Sequence, residues 1–367
     1  MKSKILFIMH MPPPVHGAAM MGKAIKDSKV INKRFDCEYI NLATAASISD
    51  IGKLSLGKVN AFIKLLAQIR KKVKLMKPDL VYITPNAQGG AFFKDFVVVQ
   101  MLKALGCKVI AHYHNKGVST KQDSKVYDWC YRHFFKGLKV ILLSPALFDD
   151  MKKYVMPENV YYCANGIACS KTVACSSKNN TVVKLLFLSN LIETKGVIVL
   201  LDALKILKDK GCSFDCSFVG AESQEIDAHV FHELVESRGL QGYAKYVGKK
   251  YGEEKQHIYE ETDIFVFPTF YPKECFPLVL LEAMENAIPC ISTNEGAISD
   301  IIDDGKTGFV VDRQNPEQLA DRIEALLNDK KLREDMGAAG KVRFEEEFTL
   351  SKFEERMGEI LGQCLSH

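Results

Sequence analysis

Residues 265–285 read FVFPTFYPKECFPLVLLEAME. The run Phe265–Phe267, aromatic and β-branched, reads as a buried strand, and the proline-punctuated stretch behind it reads as a loop. Pro277 suits a first helical turn, where its missing N–H is not needed. The apolar spacing of 278–286 then predicts a helix. This strand–loop–helix unit puts Glu274 in the loop and Glu282 inside the helix, eight positions on. The backbone N–H groups around Phe276 and Leu278 fall at the positive end of that helix, where anions bind. Carboxylates suit sugar and ribose hydroxyls because each accepts two hydrogen bonds. By spacing alone, an ordinary loop glutamate and an ordinary helix glutamate meet the same pattern.

The same alternation extends through the chain. In the first half the strand candidates are 4–9, 79–84, 108–112, 139–143 and 160–163, with helical stretches such as 59–76 between them. Residues 170–181 are small and polar and read as a linker. The pattern then restarts with strands at 183–188, 214–219, 245–247, 264–267 and 289–292. Helices are expected at 196–209, 224–237, 253–261 and 278–286, and near 316–328, 331–346 and 351–365. Alternating strands and helices predict parallel sheets covered on both faces. Two such domains are expected, 1–170 and 182–348, with 349–367 a C-terminal helix returning toward the first. Ligands in such folds bind beyond the carboxyl ends of the strands.

At 367 residues the chain has length for two cores, and its 47% hydrophobic and 26% charged residues are ordinary for a globular protein. No apolar run is long enough for a membrane span, and Ile5–Met9 is too short for a signal-peptide core. Eleven cysteines without C-x-x-C pairs fit reduced thiols in a cytoplasmic setting. The net charge of +4 hides an asymmetry. Residues 1–180 hold 28 basic and 11 acidic side chains, a balance of +17; residues 181–367 hold 21 and 34, a balance of −13. A basic half suggests an anionic partner such as a membrane surface, a phosphate-bearing acceptor or nucleic acid; a solvated lysine-rich surface is the plain alternative.

The Glu274–Glu282 segment, with its strand-Pro lead and LVLLEAM text, resembles glycosyltransferase family 4, of the GT-B fold and the bacterial surface-polysaccharide type. The resemblance covers most of 183–312, and 1–20 and 105–115 more loosely. It implies two Rossmann-like domains facing an interdomain cleft, with an acceptor in the first and a nucleotide-sugar donor in the second, and retention of anomeric configuration. Donor-binding positions then include Cys275, Phe276, Pro277, Leu278 and Glu282, and Glu274 holds the donor sugar. The stretch Leu186-Phe-Leu-Ser-Asn190-Leu-Ile-Glu-Thr-Lys195-Gly196 matches the family's Lys-Gly in register. The family's diphosphate-clamping arginine is replaced by Asn190, which donates a hydrogen bond but carries no charge. Lys249 or Lys250 is a candidate substitute, and a helix cap is the other reading of Asn190.

In the first domain, His16-Gly17 follows the first strand and precedes a helix, and is a candidate for the acceptor loop or a tight turn. The stretch is not G-x-G-x-x-G, which disfavours a dinucleotide site. His112 and His114 end a strand on one face, two residues apart, and His114 resembles the family's cleft histidine. A satisfied histidine and half of a metal site are the alternatives. Asp-x-Asp occurs nowhere in the chain, so no metal and no other cofactor is expected, with lysine and helix N–H groups meeting the leaving charge. The expected function is sugar transfer from a nucleotide diphosphate sugar to a glycan or lipid-linked hydroxyl, at the inner face of a membrane. A sugar-nucleotide epimerase of the same fold is the first rival. A nucleic-acid-binding protein is disfavoured because no helix-turn-helix, zinc or RNP signature is present.

Overall fold

The computed structural model describes residues 2–13, 17–42, 56–169 and 182–366. His16 and the linker expected at 170–181 lie outside these residues. The chain forms two compact units, Met1–Asn165 with Leu350–His367, and Gly166–Thr349.

The first unit is built on β1 (Lys4–Met9), β2 (Asp36–Asn41), β3 (Leu80–Ile83), β4 (Val109–His112), β5 (Lys139–Leu142) and β6 (Val160–Tyr162). All pairings are parallel, in the order β2-β1-β3-β4-β5-β6. Ile5 to Met9 are completely buried, as a continuous apolar run on a doubly covered strand requires. Ile5, Phe7 and Met9 pack with Met21 and Ile25 of the helix Gly17–Asp27 and with Phe353, Met357 and Leu361 of the last helix, Leu350–Ser366. Right-handed crossovers put the helices Leu56–Met76, Gly89–Ala104 and Lys125–Phe135 in a row on the opposite face. Neighbours in that row touch.

The second unit contains β7 (Val183–Leu188), β8 (Phe214–Val219), β9 (Ala244–Gly248), β10 (Ile264–Phe267), β11 (Cys290–Thr293) and β12 (Gly308–Val311). Its parallel order is β12-β11-β10-β7-β8-β9, which is the dinucleotide-fold order 3-2-1-4-5-6 when counted from β7. The order reverses between β7 and β10, whose register pairs Ile264 with Leu185 and Phe265 with Leu186. The loops leaving these two strands therefore lie side by side.

The largest departures from expectation are these, with most other bounds shifted by a residue or so. β2 and β12 do not stand out in the sequence, and both are edge strands. The helix expected from 224 begins at Ala228, because Asp227 caps it by accepting from the N–H of Val230 at 2.9 Å. Ser223 instead closes the turn before it, its hydroxyl accepting from the N–H groups of Glu225 and Ile226. The helix expected from Gly196 begins at Val197.

Candidate active site

The site is assembled where β7 and β10 end. After β7 the chain makes a short 3-10 turn, Glu193–Lys195, and reaches Gly196, which caps the helix Val197–Asp209 in the left-handed conformation, φ 93°. A Cβ at Gly196 would stand 2.3 Å from the carbonyl oxygen of Pro268, just beyond β10, so only glycine fits. That close approach lets the N–H of Phe270 donate to the carbonyl of Thr194 at 2.8 Å. The two loops are thus stitched backbone to backbone, and Lys195 and Glu274, 79 positions apart, meet with Nζ 2.5 Å from Oε2.

The pair is largely withdrawn from solvent. The Lys195 side chain is 16% exposed and that of Glu274 11%. Lys195 Nζ also lies 4.5 Å from the ring centroid of Tyr271, a cation–π contact. Burial and the Glu274 carboxylate push the Tyr271 hydroxyl above its ordinary value. A turn holds Glu274, whose N–H donates to the carbonyl of Tyr271 at 2.8 Å. The opposite wall is Gly296, φ 60°, whose Cβ would meet the Glu274 carbonyl oxygen at 2.5 Å. The N–H of Ala297 completes the clamp on the carbonyl of Cys275 at 2.9 Å.

Pro277 is the cap of the helix Leu278–Glu285 rather than a residue of its first turn, with ψ 114°. Among the described residues nothing accepts from the N–H groups of Phe276, Leu278 and Val279. Leu278 and Val279 stand in the first turn of a helix whose cap offers no side-chain acceptor. One lysine and a helix N-terminus with unspent donors thus stand at the switch point of a dinucleotide-type sheet, where anions are commonly held.

Residues 173–343 match the family described as glycosyl transferases group 1. The match falls within the second unit. The chain is 30% identical over 165 residues to the capsular polysaccharide biosynthesis glycosyltransferase CapM of Staphylococcus aureus, covering 44% of this chain and 41% of that protein. It spans about two-fifths of the length of the curated relatives it matches first. Among solved structures it resembles a glycosyltransferase from Rickettsia africae, with TM-score 0.76, 18% identity and 99% of both chains covered. It also resembles Anabaena HepE in complex with UDP-glucose, with TM-score 0.70, 18% identity, and 98% of this chain and 99% of that one covered. These likenesses show the fold, which is GT-B.

Within the second unit, Glu282 is already engaged. Its Oε1 accepts from Lys255 Nζ at 2.6 Å and its Oε2 from the Tyr259 hydroxyl at 2.8 Å. Tyr259 is buried, and burial, with the Glu282 charge beside it, drives its hydroxyl well above the ordinary value. A carboxylate has further lone pairs, so this does not exhaust its accepting capacity. Asn190 is exposed, and its Oδ1 accepts weakly from the N–H of Ala221 at 3.4 Å; it caps no helix, since Ile192 stands before the 3-10 turn. Lys250 is tied to Glu254 at 2.9 Å, while Lys249 is exposed. Cys275 and Phe276 are buried, and Phe276 meets the ring of Phe348 edge-on at 5.9 Å, so those side chains belong to the core. Tyr271, Lys255 and Tyr259 escaped sequence reasoning. Tyr271 had a signal, being three positions before Glu274.

In the first unit, His112 is completely buried, and its Nδ1 lies 2.7 Å from the Tyr82 hydroxyl. The rings of His112 and His114 approach to 4.1 Å, so the two do share one side of the strand end. Burial, then the neighbouring His114, hold the His112 imidazole well below its ordinary value, which keeps it neutral. Gly17 opens the helix Gly17–Asp27 and is exposed, with nothing near a hypothetical Cβ. The intramolecular close approach in that helix belongs to Gly22, whose Cβ would stand 2.0 Å from the His10 carbonyl oxygen. His10 and Thr84 join the ends of β1 and β3, with the His10 N–H donating to Thr84 Oγ1 at 3.0 Å.

Proposed function

We propose that the protein is a retaining glycosyltransferase that moves a sugar from a nucleotide diphosphate sugar to a hydroxyl of a lipid-linked or polysaccharide glycan. One observation carries this: Lys195, Glu274 and the unspent N–H groups of the helix Leu278–Glu285 converge where β7 and β10 end. In the reaction the bond from the anomeric carbon to the diphosphate breaks. A bond from the same face of that carbon to the acceptor oxygen forms, and the acceptor proton passes to the leaving phosphate. The chemical demand is stabilisation of the diphosphate charge, which Lys195 and the helix N-terminus supply without a metal ion. Diphosphate competing for Lys195 releases Glu274 to accept from the donor sugar's hydroxyls. Glu282 and Asn190 serve the nucleotide side, and His114 and Gly17 of the first unit are the candidates for the acceptor side.

CapM and HepE guide the substrate classes. The first is named for capsular polysaccharide biosynthesis and the second is held with UDP-glucose, so UDP-sugars are the first donors to test. Among the described residues no helix is long and apolar enough to cross a membrane. We assign the protein to the cytoplasm, docked on the inner face of an anionic membrane through its basic first half.

The deciding experiment is Glu274→Ala. The variant is expected to fold, shown by an unchanged circular dichroism spectrum, and to lose at least about a hundredfold in transfer. A folded variant with full activity overturns the assignment. Chelation by EDTA is expected to leave the wild-type rate unchanged.

A further inference from the structure

The helix Leu56–Met76, LGKVNAFIKLLAQIRKKVKLM, contains no acidic residue. Its inward stripe is Leu65, Ile69 and Val73, all buried. Its outward face carries Lys64, Arg70, Lys71 and Lys74, all exposed, and among the described residues no carboxylate pairs with any of the four. Interleaved with them are exposed apolar side chains, Val59 at 50%, Ile63 at 59% and Leu75 at 72%. Unpaired cations interleaved with branched apolar groups along one helix face suit a helix lying on a bilayer, with cations at the headgroups and apolar groups reaching below them.

A second observation comes from the same outer layer. The chain has one tryptophan, Trp129, and it is 55% exposed on the helix Lys125–Phe135. Val126, one turn before it, is 62% exposed. The Trp129 ring leans on Phe96 of the helix Gly89–Ala104 at 5.9 Å, next to Val97, which is 43% exposed. These three helices stand side by side on one face of the first sheet. The one carboxylate of the Trp129 helix, Asp128, is neutralised by Arg132 at 2.7 Å and Lys153 at 2.8 Å. An indole at the rim of an apolar cluster is the group that seats at a bilayer interface.

We infer that this three-helix face is a docking surface for an anionic lipid bilayer, with the Leu56–Met76 helix supplying electrostatic attraction and Trp129 seated among the lipid headgroups. This deepens the membrane docking proposed above and rests on it. The bilayer is favoured over an acidic protein partner by the charge pattern: cations alternate with apolar groups along a whole helix instead of forming one concentrated patch.

The single tryptophan makes the test direct. The full chain is mixed with vesicles of phosphatidylglycerol and phosphatidylcholine, and co-sedimentation is measured beside Trp129 emission. Anionic vesicles are expected to bind the protein, shift its emission to the blue and lose both effects in high salt; pure phosphatidylcholine is expected to do neither. At about fivefold per cation near an anionic surface, the triple variant Arg70→Gln, Lys71→Gln, Lys74→Gln should bind about a hundredfold more weakly. Its thermal shift with a UDP-sugar should match the wild type. Sedimentation without an emission shift, or undiminished binding of the triple variant, overturns this face while leaving membrane docking intact. No sedimentation with anionic vesicles overturns both.

Discussion

The two switch points invite comparison. Where β7 and β10 part, the second unit gathers full charges: Lys195 against Glu274, with Lys255 against Glu282 one turn into the next helix. Where β1 and β3 part, the first unit gathers polar hydrogen-bonding partners. His10 meets Thr84 there, and Asn41 exchanges hydrogen bonds with the backbone of Met11. Nearby, on β4, His112 is kept neutral by burial. One architecture, used twice, therefore gathers ion pairs at one switch point and polar hydrogen-bonding side chains at the other. The difference lies in loop residues, since both sheets are parallel and six-stranded.

That contrast can be broken, beginning with the glycine that joins the charged loops. Gly196→Ala faces both a left-handed φ and a carbonyl at 2.3 Å, and is expected to destabilise by about 3 kcal/mol in urea unfolding. Gly242→Ala, with φ 82° but nothing near its Cβ, is expected to lose only about 1 kcal/mol. Equal losses would show that backbone conformation, not the stitching of β7 to β10, matters at Gly196. The buried histidine is tested by acid. An unfolded chain protonates His112 below pH 6.5, the ordinary imidazole value, whereas the native core refuses that proton. Stability should therefore fall as pH drops below about 6.5, by up to about 1.4 kcal/mol per unit, and His112→Gln should flatten that slope. An unchanged slope in the variant assigns the acid sensitivity elsewhere. The smallest effect is expected at Lys255→Ala. The Lys255–Glu282 pair is partly exposed, and Tyr259 still donates to Glu282, so stability should fall by no more than about 1 kcal/mol. A larger loss would make Glu282 a structural residue before a ligand-binding one.

How much of this was written in the sequence differs by element. β1, β7, β8 and β10 have the bounds the sequence predicts, and the apolar stretches Ile5–Met9 and Ile264–Phe267 are buried as strands covered on both faces require. β2, with the sequence DCEYIN, is an edge strand with mixed burial, and its Asp, Glu and Asn disguise it. β12 has four residues and starts at a glycine. Glu274 and Lys195 could each be picked out from their local text, but not their contact, which depends on the pairing of β7 with β10 across 79 positions. The partners of Glu282 were hidden for the same reason, since Lys255 and Tyr259 belong to a different helix.

The last helix, Leu350–Ser366, sets an order of events in the making of the protein. Phe353, Met357 and Leu361 sit in the same core as Ile5, Phe7 and Cys163, so the first unit brackets the second along the chain. On a ribosome, residues 1–165 emerge early and then wait, on the order of ten seconds, while the second unit is synthesised. Until residue 350 and its successors appear, part of one face of the first sheet keeps its apolar side chains uncovered. The half of the protein that is born first is thus the half that matures last, and a nascent chain stalled between 165 and 350 is the species a chaperone would meet.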